Sequence, residues 1–348
     1  MRNRDVLSCN EEDENPEING LDEEVDEGVD DIEVGVDLRT QVERLLSWCV
    51  GVAFGRWDVR MALDASLIPE LQGPFERLPV VAPAGLVGVD GYPAERGEVA
   101  PVEWLQARPN VITLPEGEWH NTREYPLDVA WDGILVSDAG NARDLTQRVR
   151  AVLRLVFGER SEAIEDEMTA ALRGDAKKAV SLEEYFAHPK HFFASHLKAY
   201  SKSRRKAPIY WPLRTRDGGF TAWVYYPRLS RDTLPTLIAD VIAPRVAVQR
   251  SEVARLQSER ASAEGKLFSA LGKELDAAQD LLDGLMELEA QLRELVNAGY
   301  TVEHDDGVIL SAAPLHRVMP WKDLAGMFRN ITAGKYPWSH QHGIWVKE

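Results

Sequence analysis

The chain has 348 residues, with 40 Lys and Arg against 57 Asp and Glu, for a formal charge of −17. That length holds about two domains with sizeable cores. Two cysteines, Cys9 and Cys49, cannot build a disulfide framework, and no apolar run approaches the roughly 18–20 residues a spanning helix needs. The reading is therefore a soluble, cytoplasmic protein without a membrane partner.

The negative charge is concentrated at one end. Residues 1–37 hold 15 acidic residues and only Arg2 and Arg4, whereas residues 38–348 hold 38 basic and 42 acidic residues. A segment this charged, with few large apolar side chains, cannot bury enough surface to offset its ordering entropy, so residues 1–37 read as an acidic disordered tail.

Thr40 with Glu43 has capping-box spacing and predicts a helix to about Phe54, with Val42, Leu45, Leu46, Cys49 and Val50 turned inward. Gly55 breaks it within Phe54-Gly-Arg-Trp-Asp58, where an arginine between aromatics reads as a packing hub. Eight of the 19 prolines fall between Pro69 and Pro115, predicting loop and short edge strands. Asp128–Asp138 reads as a turn and a buried strand. Asp144 with Gln147 caps a predicted helix running to about Leu172. Ser181 with Glu184 opens a short helix limited by Pro189, and residues 190–201 should be helical again.

Residues 208–227 form a predicted β-hairpin. Ile209–Trp211 and Phe220–Tyr226 are aromatic and β-branched runs flanking Asp217-Gly218-Gly219. Alternation along the first strand should bury one of Tyr210 and Trp211 and expose the other. Beyond Pro244, Leu281, Leu285, Leu288, Leu292 and Leu295 repeat at spacings of four and three, a heptad seam. With the earlier stripe Val246, Val253 and Leu256 it predicts an antiparallel helical hairpin over 244–298 that turns near Gly265. Residues 299–348 read as a small α/β cap with a turn at Asp306-Gly307. The fold class is α+β, mostly helical with short strands, and the expected divisions are 38–243, 244–298 and 299–348.

One window stands out chemically. Residues 185–216 carry eight basic side chains (Lys190, Lys198, Lys202, Arg204, Arg205, Lys206, Arg214 and Arg216), seven Phe, Tyr or Trp residues, and no acid. Lys and Arg displace counterions from phosphates, and aromatics stack on exposed bases, so these eight residues with Tyr210 and Trp211 are the candidate DNA contacts. The competing readings are a core stripe of Phe192, Phe193 and Leu197 with lysines solvating the other face, and docking of the chain's own acidic tail. His188, His191 and His196 lack the ligands that would complete a metal set. No phosphate-binding glycine loop or nucleophile turn occurs, and no residue is assigned a catalytic, cofactor-binding or metal-binding role.

Leu46–Asp58, Trp131-Asp-Gly-Ile-Leu135, Phe192–Leu213 and Trp223-Val-Tyr-Tyr226 before Arg228 follow one another in an unusual order. The helical hairpin and then Asp306-Gly-Val308 to Pro320-Trp321 complete it. Over residues 42–345 this order resembles the C-terminal third of the PglX-type adenine-specific DNA methyltransferases of bacterial antiphage defence. These are the BREX enzymes and their DISARM and type IIG relatives, which act alongside or as restriction–modification systems. The resemblance implies a DNA-binding and assembly region lying downstream of a catalytic core. That core, with its S-adenosylmethionine fold and Asn-Pro-Pro-Tyr/Phe-type motif, has no counterpart here. Asn15-Pro16-Glu17 is not that motif. S-adenosylmethionine is accordingly expected only in a separate methyltransferase-core chain or a full-length relative, and double-stranded DNA is the expected partner. The alternative is a non-enzymatic interaction scaffold of a defence complex that recruits partners through the leucine seam.

Overall fold

The computed structural model describes residues 37–69, 75, 81–88, 90–95, 98–107, 125–173, 180–203 and 205–346. The predicted acidic tail, apart from Asp37, lies outside them, as does Arg204. The fold is α+β and mostly helical, with a few short antiparallel strands. Residues 37–348 form one compact unit.

Helix α1 spans Leu38–Ala53. Its cap is Asp37 rather than Thr40: the Asp37 carboxylate accepts from the Thr40 backbone N–H at 3.1 Å and from the Thr40 hydroxyl at 2.6 Å. A carboxylate at this end also complements the helix dipole. Short helix α2 (Arg60–Leu63) precedes the proline-rich stretch and α3 (Val102–Ala107) lies within it, a helix where loop and edge strands are expected; the other described contacts include isolated bridges such as Trp57 with Gly85. Strand β1 is Ile134–Ser137.

The long helix predicted from Asp144 to Leu172 is two helices, α4 (Leu145–Phe157) and α5 (Ser161–Arg173). Gly158 between them has φ +56°, a left-handed conformation that ends an α-helix and that glycine adopts without a Cβ penalty. Asp144 does cap α4, accepting from Gln147 N–H at 2.9 Å. Helices α6 (Leu182–Ala187) and α7 (Phe192–Ala199) follow, then two-residue strands β2 (Ser201–Lys202) and β3 (Arg205–Lys206).

The hairpin is β4 (Tyr210–Arg214) against β5 (Thr221–Tyr225), with Tyr210 opposite Tyr225 and Arg214 opposite Thr221. β1 joins the other edge of β5, giving a three-stranded antiparallel sheet in the order β1-β5-β4. Helix α8 (Thr233–Thr236) passes through a π-helical turn, 237–242, into α9 (Ala243–Ala261). Pro244, lacking an N–H, interrupts the α ladder there.

Helix α10 (Gly265–Asn297) returns along α9, so the predicted helical hairpin forms and turns at Gly265. Its leucine seam is spent inside the chain. Leu285, Leu288 and Leu292 are buried, and Leu281 and Leu295 pack against the same core.

Residues 299–348 depart from the predicted α/β cap. Their regular elements among the described residues are helices, α11 (Val308–Ala312), α12 (Asp323–Thr332) and α13 (His340–Trp345), with 3-10 turns on either side of α11. Aromatic residues that raise strand propensity here pack as helix side chains, Phe328 edge-on to Trp345 at 5.3 Å.

Long-range capping holds α13. Buried Asp306 accepts from the backbone N–H groups of His340 at 2.8 Å and Gln341 at 3.1 Å. Replacing Asp306 with Ala should cost about 1–2 kcal/mol, read as faster amide exchange in 340–345 with little change in α9 or α10. Uniform protection would count against this cap.

One continuous core runs from Val42 to Leu324, crossing both divisions expected at 243/244 and 298/299. Among the described residues, no helix is long and apolar enough to cross a membrane.

Candidate nucleic-acid interface

The basic window folds into two positive features at opposite ends of β4. The first is the β2–β3 ribbon. Lys202 stands opposite Arg205, and Ser201 opposite Lys206. Ser203 takes φ +56°, which closes the reversal tightly.

The base of the ribbon is pinned. The Ser201 hydroxyl donates to Leu197 O at 2.5 Å, and Lys206 Nζ donates to Asp323 Oδ2 at 2.5 Å. Lys206, a candidate phosphate contact from the sequence, is thus tied to the first turn of α12. Its hydrogen bond holds the Asp323 carboxyl below the usual carboxylate range, assisted by Trp321. At the tip, Lys202 and Arg205 are exposed and side by side, with no ion-pair partner among the described residues. Like charges directly opposite on a ribbon repel, so this pair is a poor choice for stability and a suitable one for a polyanion.

Tyr210 and Trp211 depart from the role expected of DNA contacts. Both are fully buried and cannot contact DNA. Tyr210 stacks on Phe54 at 5.4 Å and on Phe192 at 6.2 Å, while Trp211 packs against Tyr226 at 5.0 Å. The hairpin is covered on both faces, so alternation selects which layer a ring enters and exposes neither.

Lys190 is exposed between α6 and α7, and Lys198 is exposed on α7. Arg56 is the hub expected of it: its guanidinium lies 4.4 Å from the Trp57 ring and 5.4 Å from that of Tyr200, to whose hydroxyl it donates.

The histidines do not converge on a metal. His196 is buried, its Nε2 accepting from the Ile209 and Tyr210 backbone N–H groups at 2.9 and 3.2 Å, whereas His188 is exposed. Among the described residues, no group of three His, Cys, Asp or Glu side chains could hold a metal ion.

The second positive feature is a recess of about 320 Å³. Arg214 and Arg216 line it from the hairpin turn, Glu287 and Gln291 from α10, and Arg317 from the segment before α12. Arg214 is half-buried, and its Nε is enclosed without a hydrogen-bond partner among the described residues. Burial pulls its pKa down while nearby Asp217 opposes, and an arginine stays charged regardless. Gly218 makes room for the guanidinium, which a Cβ at that position would strike. Arg216 is exposed, and Arg317 pairs with Glu294 at 2.8 Å.

Arg317 was not among the sequence candidates. The hydrogen bond from Arg214 N–H to Val318 O, 3.0 Å, brings it to the hairpin, and no local pattern announces that. Eight residue steps separate Lys206 from Arg214, so ribbon and recess lie at most ~27 Å apart along the chain.

No protein-family model matches the chain, and no curated protein matches it.

Proposed function

We propose that the chain is the C-terminal DNA-engaging and assembly module of an adenine-specific DNA methyltransferase of a bacterial antiphage, restriction–modification-like system, without catalytic motifs of its own. The observation that carries DNA contact is that Arg214, Arg216 and Arg317 line one recess of a chain whose overall charge is −17. A guanidinium withdrawn from water is stabilised by a bidentate oxyanion, and a backbone phosphate is one. The methyltransferase assignment rests on the motif order described above.

Mechanistically, Arg214 and Arg216 would seat one phosphate while Lys202 and Arg205 meet another, setting the register of the duplex. Contacts of this kind position DNA and carry little sequence preference. Transfer of a methyl group from S-adenosylmethionine to adenine is not expected of the isolated chain.

The test is fluorescence anisotropy with duplex DNA over a salt series. The intact chain is compared with a tip variant (Lys202→Ala, Arg205→Ala) and a recess variant (Arg214→Gln, Arg216→Gln). Each lost phosphate contact should shallow the log–log salt slope by about one unit. No binding, or a slope indifferent to both variants, would sink the DNA reading, and methylation by the chain alone would overturn the division of labour.

The scaffold alternative is not carried by the seam on which it was based, because those leucines fill the chain's own core.

A further inference from the structure

A cavity of about 490 Å³ opens between α1 and α7. We propose that it receives one unstacked nucleobase from a DNA strand held by the basic face, an inference that rests on the DNA reading above and gives it a second, aromatic-walled subsite.

The walls have the chemistry of a stacking slot. Trp48 from α1, Trp57 from the turn after α1, and Tyr200 at the end of α7 are each partly exposed and all line it. Base–aromatic stacking is strong and tolerant of sequence, because every base has a π-face. The volume suits a small flat molecule rather than a helix or an extended peptide.

Two of these walls are preorganised. Arg56 stacks over Trp57 and donates to the Tyr200 hydroxyl, tying both rings to one guanidinium. Gly51 in α1 lets Trp57 lie against the helix, since a Cβ there would collide with the indole. Arg56 itself faces a separate, larger cavity that shares only Trp57 with this one, so its charge braces the aromatic wall without filling the slot.

A second observation points to a heterocycle rather than a plain hydrocarbon. His196 is 2 % exposed and stands in the same wall. Because its Nε2 accepts from two backbone N–H groups, its proton sits on Nδ1, and that N–H has no acceptor among the described residues. Buried donors left unmatched are uncommon in folded proteins. A nucleobase carries ring nitrogens and carbonyl oxygens able to match such a donor, and the Tyr200 ring lies beside the imidazole at 4.4 Å.

The cavity is also continuous with the basic surface. Exposed Arg44 and Lys198 belong to its rim, and Lys198 lies three residues before the ribbon that presents Lys202 and Arg205. The cations would hold the flanking phosphates while the rings take the base.

Three duplexes of the same paired length test this on the full chain: fully paired, with one bulged nucleotide, and with the same bulge lacking its base, the last two carrying equal charge. The bulged duplex should bind about tenfold more tightly than the other two and quench tryptophan fluorescence. Trp48→Leu should remove that preference without changing affinity for the paired duplex, and Trp48→Tyr should retain it. Equal affinity for all three duplexes, or a preference that survives Trp48→Leu, overturns the base site while leaving phosphate contact standing. Failure to bind any duplex at low salt overturns both readings together. The comparison of bulge with abasic bulge needs no variant, so it holds even if Trp48→Leu fails to fold.

Discussion

Leu285→Asp should leave the chain without a cooperative thermal transition. Leu285 is fully buried on α10, in the same core as Leu288, Leu292 and the π-helical turn residues Leu237 and Ile242. Deleting a buried leucine side chain alone costs about 2–5 kcal/mol, and placing a carboxylate in the vacated apolar site adds a desolvation penalty of several more. Against a typical domain stability of about 5–15 kcal/mol, that removes most or all of the margin. Leu267→Asp on the same helix is the control, because Leu267 is 58 % exposed. It should change stability by no more than about 0.5 kcal/mol. Circular-dichroism melts of the two variants read the contrast directly. A Leu285→Asp chain that melted like the parent would return the leucine seam to the role of a partner surface.

The second expected result is a loss of stability on mild acidification that traces to one histidine. Burial, with the Arg56 charge adding to it, pushes the His196 pKa down to about 3, from 6.5 for the free side chain. The aromatic rings against it are those of Phe192, Tyr200 and Tyr210, and the charge acting on it is that of Arg56. Protonation would also destroy the Nε2 acceptor on which the Ile209 and Tyr210 N–H groups depend. The folded state therefore keeps His196 neutral while the unfolded chain takes up a proton below pH 6.5. Stability is full above that pH and falls as pH drops toward 3, by about 1.4 kcal/mol per pH unit. Between pH 6.5 and 4.5, above the range where carboxylates dominate, urea unfolding should show a loss of about 2–3 kcal/mol. In His196→Gln, whose amide oxygen can accept from the same backbone, the slope should be much flatter whatever the baseline stability. A His196 ring proton that titrated near pH 6.5 in the folded protein would refute the assignment.

Much of the local architecture was legible. Asp144 and Ser181 cap the helices expected of them, the 208–227 hairpin pairs as read, and the chain reverses between α9 and α10 at Gly265. Errors arose where two local signals competed. At α1 both Asp37 and Thr40 can cap, and the carboxylate wins by accepting from both the backbone N–H and the hydroxyl of Thr40. Within 145–172 the apolar stripe continues in sequence past Gly158, but the backbone turns left-handed there. The two-residue strands of the ribbon are too short to show any period.

Elements set by backbone sterics and by side chains within about four residues of one another are written in the sequence, because their determinants are the sequence neighbours themselves. The candidate site obeys a different rule. Which cations stay free, and which aromatics stay exposed, depends on groups supplied from far along the chain. Lys206 is occupied by Asp323, 117 residues away, and Arg214 meets Arg317 across a backbone bond to Val318. Tyr210 is covered by α1 and α7 together. Charge pairing and burial are properties of the assembled layers, so the basic window was visible in the sequence, but the division between its structural and its available charges was decided only by the tertiary structure.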